Sequence, residues 1–195
     1  MLNIKKISST DKNFFENLKK YISRREFNTS IIKDRVKNII YEVKDNGDEA
    51  LIEFSSKFDN YIVSRAEELE ISKEKITESL NKISKEELES LKFSKKRIEE
   101  FSVRQKCESW YYNSEGIKLG EKITPINKVG IYVPGGSAVY PSSVLMNAIP
   151  AKVAGVKEII MVTPSPKGEV NNLVLAAACL GGVDRLFRVG GAHAI

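Results

Sequence analysis

Residues 129–136 read VGIYVPGG, a short apolar segment that runs directly into Pro-Gly-Gly. Two later apolar segments, residues 159–162 and 186–189, also end in loops, and each follows a stretch with helical character. Parallel sheets are built from continuous apolar strands that alternate with helices and are joined by right-handed crossovers. The part of the chain from residue 128 to residue 195 therefore predicts a βαβαβ parallel sheet and an α/β fold.

The sequence ahead of this sheet has a different character. It carries 49 charged side chains, whereas residues 129–195 carry only eight. Apolar residues recur there at helical spacing, and Ser84 with Glu87 matches a capping box at the start of one helix. We therefore expect residues 1–127 to form a mainly helical region, part of a larger domain. Residues 128–195 are expected to form the first part of a second, incomplete domain.

An aromatic stretch lies near the end of the helical region. Trp110, Tyr111 and Tyr112 favour a strand, turn residues follow at 114–116, and apolar and polar residues then alternate from Ile117. This pattern predicts a β-hairpin. Its aromatic side chains suit either packing on the helices or stacking against nucleic-acid bases, and we favour the packing.

The charge pattern argues against nucleic acid as a partner. The net charge is +5, but basic and acidic residues are closely mixed, as in residues 95–100, which is typical of a solvated helix face. No stretch is long and apolar enough to predict a membrane span, and the first residues lack the apolar segment of a secretory signal. We therefore expect a cytoplasmic protein that binds neither nucleic acid nor membrane.

Open parallel sheets bind their ligands beyond the carboxyl ends of the strands. Three loops are expected to meet at that edge, at residues 134–137, 163–166 and 190–193. Glycines such as Gly135 and Gly136 let the backbone approach a phosphate or ribose, and the next helix points its free N–H groups to the same edge. The loops suit a phosphorylated ligand. Tight strand-to-helix turns would need the same glycines, so both interpretations stand.

The common nucleotide motifs are absent from these loops, since neither the Walker A pattern nor the G-x-G-x-x-G fingerprint is present. Tyr132, on the first strand, is a candidate for stacking on or hydrogen bonding to a ligand, with a place in the core as the alternative. His193 is the only histidine and a candidate ligand contact. A general base or a zinc site would need partners that this sequence does not offer.

The same residues carry a resemblance to a known family. The run from residue 129 to residue 151, RVGGA at residues 188–192, GDEAL at residues 47–51 and KFD at residues 57–59 all resemble histidinol dehydrogenases. The similarity extends over nearly the whole chain, and the first of these runs is its most specific part.

The resemblance implies a homodimeric, zinc-dependent enzyme of histidine biosynthesis that oxidises L-histidinol to L-histidine and reduces two NAD. It implies an incomplete Rossmann-like domain, with Tyr132, Gly135, Gly136 and His193 as NAD-binding residues. The family usually has glutamine where this chain has His193. Its zinc ligands and its catalytic Glu-His pair are expected beyond Ile195 and none within this chain, so we expect the chain alone to be inactive.

Two other functions fit the same pattern. The first is a related zinc- and NAD-dependent dehydrogenase that acts on another small alcohol, with its substrate contacts outside these residues. The second is a module without catalytic activity that binds a nucleotide or takes part in assembly.

Overall fold

A computed structural model of the chain describes residues 6–23, 29–135 and 138–195, with only the backbone of Thr29. The α-helices within these ranges are α1 (Phe14–Ser23), α2 (Thr29–Asn46), α3 (Asp48–Asp59), α4 (Lys73–Glu78), α5 (Lys85–Gln105), α6 (Pro141–Ala154) and α7 (Asn172–Gly181). The strands are β1 (Glu70–Ile71), β2 (Trp110–Ser114), β3 (Ile117–Glu121), β4 (Lys128–Tyr132), β5 (Glu158–Val162) and β6 (Arg185–Phe187). Short 3-10 turns lie at Ala66–Leu69, Ser79–Asn81, Pro166–Gly168 and Ala192–Ala194.

The predicted α/β fold is confirmed. Four strands form one sheet in the order β1-β6-β5-β4, with β4, β5 and β6 parallel, and helices α6 and α7 connect these three strands. Strand β1 pairs antiparallel with β6, so an element of the helical region belongs to the same sheet. The third predicted strand, residues 186–189, begins and ends slightly earlier than expected, because its last two residues belong to the loop.

The sheet has one buried face and one open face. Ile131, Met161 and Leu186 point to the buried face and pack against helices α4 to α7 in one apolar core. Tyr132, Val162 and Phe187, which lie opposite one another in the strand register, are only partly buried on the other face. Parallel sheets are normally covered by helices on both faces, so a face that is only partly buried is unusual for such a sheet.

The capping box predicted for α5 is present. The Ser84 hydroxyl accepts a hydrogen bond from the N–H of Glu87 at 3.2 Å, and the Glu87 carboxylate accepts one from the N–H of Ser84 at 2.8 Å. Helix α6 begins at Pro141, behind Tyr140, which makes no side-chain cap. Proline is pre-organised for the first helical position, where its missing N–H has no partner in the helix.

Asp184 fixes the register of the sheet near β6. Its carboxylate accepts hydrogen bonds from the Lys152 ammonium at 2.7 Å and from the N–H of Ile159 at 2.8 Å. Desolvation alone would raise the pKa of Asp184, but the hydrogen bonds from Lys152 and Ile159 and the nearby positive charges lower it. The Asp184 carboxylate thereby connects the end of α6 and the start of β5 to the segment just before β6.

The predicted hairpin is formed by β2 and β3, and its turn residues Glu115 and Gly116 both have positive φ angles, 51° and 80°. Two positive φ angles are what a tight two-residue hairpin requires. The expected packing on the helices is wrong for the described chain. Every residue of both strands is exposed, including Trp110 at 53%. The two strands form a separate sheet in which they pair only with each other.

No helix in the described ranges combines the length and the apolar character that crossing a membrane requires.

Candidate functional site

The loops after β4 and β5 touch at the carboxyl edge of the sheet, and the loop after β6 joins them. A methyl group added to Gly135 would lie 2.6 Å from the carbonyl oxygen of Pro164. One added to Gly190 would lie 2.6 Å from Cβ of Pro164 and 2.7 Å from its Cα. Both distances are far below van der Waals contact, so the two glycines allow the three loops to close on Pro164. Gly136, the other predicted glycine, lies outside the described residues.

Tyr132 joins the first of these strands to the last loop. Its phenolic oxygen accepts a hydrogen bond from the N–H of Gly191 at 3.0 Å, across the width of β5. The ring is partly exposed on the open face of the sheet. Because the phenol accepts this bond, its own O–H is still available to donate to a ligand.

His193 lies in an aromatic slot against helix α3. Its ring centroid is 5.4 Å from that of Phe54 and 5.6 Å from that of Phe58, and the residue is 6% exposed. Neither ring nitrogen has a hydrogen-bond partner in the described part of the chain. Burial lowers the pKa of His193, and the negative charge of Asp59 opposes that shift only in part. At neutral pH the side chain is therefore an uncharged imidazole.

Two helices also begin at the carboxyl edge of the sheet. Helix α7 begins behind Asn171, whose side-chain oxygen accepts from the N–H of Leu173 at 2.8 Å. Helix α6 begins behind Tyr140, which gives no side-chain cap, so its first N–H groups are free to face an anion. A shallow cavity of about 70 Å³ lies here, lined in part by Gly135, Thr163 and Pro164.

A larger cleft of about 390 Å³ lies on the open face of the sheet beside α3. Apolar side chains such as Leu51 and Phe187 share its wall with His193, and the acidic residues Asp48 and Glu67 also line it. Uncompensated carboxylates repel a phosphate, so an anionic ligand is better placed at the glycine loops than in this cleft.

Arg188 was missed by the sequence reasoning. Its guanidinium lies 4.8 Å from the centre of the Tyr61 ring and donates to the carbonyl oxygen of Glu68, and a longer bond reaches the carbonyl of Gly168 at 3.5 Å. The side chain therefore ties the last loop to the segment before β1 and to the loop after β5. In the sequence, only the position of Arg188 in the RVGGA motif at residues 188–192 could have indicated this role.

The described residues do not form a zinc site. Within residues 6–23, 29–135 and 138–195, no three His, Cys, Asp or Glu side chains are grouped so that they would hold a metal ion. Zinc in proteins takes three or four such ligands. We therefore derive no step of a reaction through a metal held by this chain.

Parallel strands, glycine loops at their carboxyl edge and two helix starts together define a Rossmann-like α/β half-domain. The family model of histidinol dehydrogenase matches residues 22–195. The chain belongs to the histidinol dehydrogenase family.

Curated relatives support this assignment. The histidinol dehydrogenase of Pseudomonas savastanoi pv. phaseolicola is 45% identical over 193 residues, which are 98% of this chain and 43% of the relative. That of Hydrogenovibrio crunogenus is 44% identical over 196 residues, covering 100% of this chain and 45% of the relative. The chain therefore spans less than half the length of these relatives and corresponds to their N-terminal part.

A solved structure shows the same fold. The crystal structure of histidinol dehydrogenase from Elizabethkingia anophelis superimposes with a TM-score of 0.77 at 32% sequence identity. The match covers 84% of this chain and 37% of that one.

Proposed function

We propose that this chain is the N-terminal part of a cytoplasmic, homodimeric, zinc-dependent enzyme that oxidises L-histidinol to L-histidine and reduces two NAD. The curated relatives from Pseudomonas savastanoi, Hydrogenovibrio crunogenus and Pseudomonas fluorescens, at 44–45% identity, carry the name histidinol dehydrogenase, which supports this substrate over another small alcohol. Within that enzyme the chain supplies part of the NAD-binding site, at the carboxyl edge of β4, β5 and β6.

The observation that carries the proposal is the hydrogen bond between Tyr132 and the N–H of Gly191. It holds a phenol, a glycine loop and the segment of His193 at one edge of a parallel sheet. Nucleotides bind at such edges because glycines let the backbone approach and helix starts attract phosphate. Gly135 and Gly136 belong to the loop that leads to the uncapped start of α6.

His193 takes the fourth NAD contact in this proposal. Its ring now packs against the stacked rings of Phe54 and Phe58, with both nitrogens inaccessible to solvent. A side-chain contact with NAD therefore requires the ring to leave this slot. Leaving would also give the imidazole the hydrogen-bond partners that it lacks, which offsets part of the lost aromatic packing.

NAD supplies the chemistry of hydride acceptance, and this chain binds and orients it. Tyr132 donates its O–H to the nucleotide, and Gly135 allows the loop after β4 to pack closely on Pro164 beside it. The chain does not move the protons of the reaction. Among the described residues, no carboxylate is hydrogen-bonded to its single histidine, and a general base needs such a partner.

Binding of NAD to the 195-residue chain tests the site. We expect Tyr132→Phe to weaken NAD binding about 2- to 10-fold, because one hydrogen bond contributes about 0.5–1.5 kcal/mol. Tyr132→Ala, which also removes the ring, is expected to weaken it further. Isothermal titration calorimetry measures both, with Tyr112→Phe on the exposed hairpin as the matched control. Unchanged binding by Tyr132→Ala would show that this edge is not the NAD site.

An assay of turnover by the isolated chain tests whether the chain can catalyse the reaction by itself. We expect no histidinol-dependent formation of NADH, with or without added zinc, because the described residues offer neither a metal site nor a positioned base. Absorbance of NADH measures it, with the enzyme from Pseudomonas savastanoi as the positive control. Sustained NADH production by the purified chain would contradict the proposal.

A further inference from the structure

Arg188, the first residue after β6, binds backbone carbonyls and no acidic side chain. Its guanidinium donates to the carbonyl oxygen of Glu68 and, at 3.5 Å each, to those of Glu70 and Gly168. None of the ion pairs within the described ranges includes it. A guanidinium is planar and holds its N–H donors in fixed directions, so several carbonyls together fix its position and its orientation.

The ring of Tyr61 packs against this guanidinium, whose central carbon lies 4.8 Å from the ring centre. The Tyr61 hydroxyl donates to the Glu68 carbonyl at 3.2 Å, so this carbonyl receives two side-chain donors. A methyl group added to Gly168 would collide with the Tyr61 ring, so glycine is needed for the loop after β5 to come this close. We call Tyr61, Glu68, Gly168 and Arg188 the Arg188 cluster.

The loop after β6 runs from Arg188 to Gly191, whose N–H donates to the Tyr132 phenol. The N–H of Arg188 donates to the carbonyl of Leu69 at 2.7 Å, which fixes the start of the loop. Residues 190 and 191 are both glycines, which have no side chain to anchor them and lose much conformational freedom when they are ordered. The place of the Gly191 N–H therefore depends on the residues that flank the two glycines.

The anchor on the far side of the glycines is His193, and the proposed NAD complex releases it. Its ring packs against Phe54 and Phe58, and a side-chain contact with NAD requires the ring to leave them. Once the ring has left, the Arg188 cluster still joins the loop to the segment before β1. The same cluster includes Gly168 of the loop after β5, so Arg188 connects two of the three loops at the carboxyl edge.

Stability alone does not explain an arginine at this place. The Nε atom of Arg188 is buried and has no hydrogen-bond partner in the part of the chain that the structure describes. A buried polar group without a partner costs free energy, and apolar side chains often replace buried charges without loss of stability. A planar group that reaches carbonyls of two separate segments is better explained by the position that it fixes.

We propose that Arg188 is a positioning residue of the NAD site. It holds the loop after β6 so that the Gly191 N–H stays on the Tyr132 phenol, above all when His193 leaves its slot. The inference rests on the NAD site proposed above and adds a residue that serves this site without touching the nucleotide.

Amide hydrogen exchange followed by NMR tests this role without NAD. Arg188→Met keeps an unbranched stem against Tyr61 but loses the donors, and we expect its Gly191 amide to exchange about fivefold faster or more. Tyr132→Phe removes the acceptor and gives the rate of an unprotected Gly191 amide. The Ile159 amide, which donates to Asp184, is the internal reference and should change less than about twofold.

Arg65→Met is the matched control for the loss of an arginine. Its side chain is 74% exposed and pairs with the Glu68 carboxylate, so both amides should keep their rates. Arg188→Met should fold, because the Glu68 carbonyl keeps the Tyr61 hydroxyl as a donor. Arg188→Lys keeps the charge with fewer donors and should accelerate Gly191 by a smaller factor, so it replaces Arg188→Met if that variant does not fold.

A double-mutant cycle in the NAD titration tests the consequence for binding. We expect Arg188→Met to raise the dissociation constant of NAD about 3- to 10-fold. Tyr132→Phe should then weaken binding less in the Arg188→Met background than alone, because the phenol has already lost the loop that orients it.

Three results would overturn the proposal. They are an unchanged Gly191 amide in both Arg188 variants, equal acceleration of the Gly191 and Ile159 amides, and additive effects of Arg188→Met and Tyr132→Phe on NAD binding. The first two do not depend on NAD, so they remove the role of Arg188 and leave the NAD site intact. A faster Gly191 amide in Arg188→Met, with NAD binding that Tyr132→Ala does not change, would instead remove the NAD site.

Discussion

Gly190→Ala is expected to lower the free energy of unfolding by about 1–3 kcal/mol, the usual range for forcing extra atoms into a well-packed place. The added methyl group would lie 2.6–2.7 Å from Cβ and Cα of Pro164, which are ring and backbone atoms that cannot rotate away. The loop after β6 must therefore move away from the loop after β5. Urea unfolding followed by circular dichroism measures the loss, and NAD binding should weaken in parallel.

Gly130→Ala is the matched control for this effect. Gly130 lies in strand β4 on the open face, and a methyl group added there meets nothing within 4 Å. Alanine in a strand is also slightly more favourable than glycine, because it restricts the unfolded chain. The control should therefore be neutral or slightly more stable. Equal urea midpoints for the two variants would show that the loops do not close on Pro164 in solution.

The second large effect is a loss of stability in mild acid that depends on His193. Burial lowers the pKa of His193 in the folded chain, so the unfolded chain takes up a proton first as the pH falls below about 6.5. Stability is then fully present above that pH and decreases below it, by up to about 1.4 kcal/mol per pH unit, until the folded histidine is also protonated.

His193→Gln isolates this contribution from other titrating groups. Glutamine does not ionise, so its unfolding free energy should depend less on pH between about 7.5 and 5.5. The negative charge of Asp59 on α3 favours the charged imidazole and so raises the pKa of His193. Asp59→Asn should therefore steepen the acid loss. Parallel pH profiles for the natural chain and His193→Gln would contradict the buried position of the ring.

Features encoded over short distances in sequence were predictable. The alternation of strands and helices after residue 128, the β2–β3 hairpin and the capping box of α5 depend on neighbouring residues, and the structure contains all three. Strand β1 was not predictable, because a pairing of only two residues leaves no periodic pattern. The exposure of the hairpin was not predictable either, since the same aromatic residues suit a buried face or a free one.

The site was predictable as a place but not as a set of contacts. The rule that ligands bind at the carboxyl ends of parallel strands pointed to the loops of Gly135 and His193. The partner of Tyr132 lies 59 positions away, and the aromatic slot of His193 belongs to α3, near the other end of the chain. Contacts of this kind depend on how distant segments pack, which local patterns do not encode.

The pairing of β1 with β6 has a consequence for the order of events during translation. The two ends of the ion pair between Glu70 and Arg185 are 115 positions apart, so β1 leaves the ribosome long before its partner strand exists. Contacts that distant in sequence form slowly, because a long segment must be ordered before they contribute. Nascent chains that stop short of β6 would thus expose β1 without its partner strand, and β1 can join the sheet only after residues 185–187 have been made.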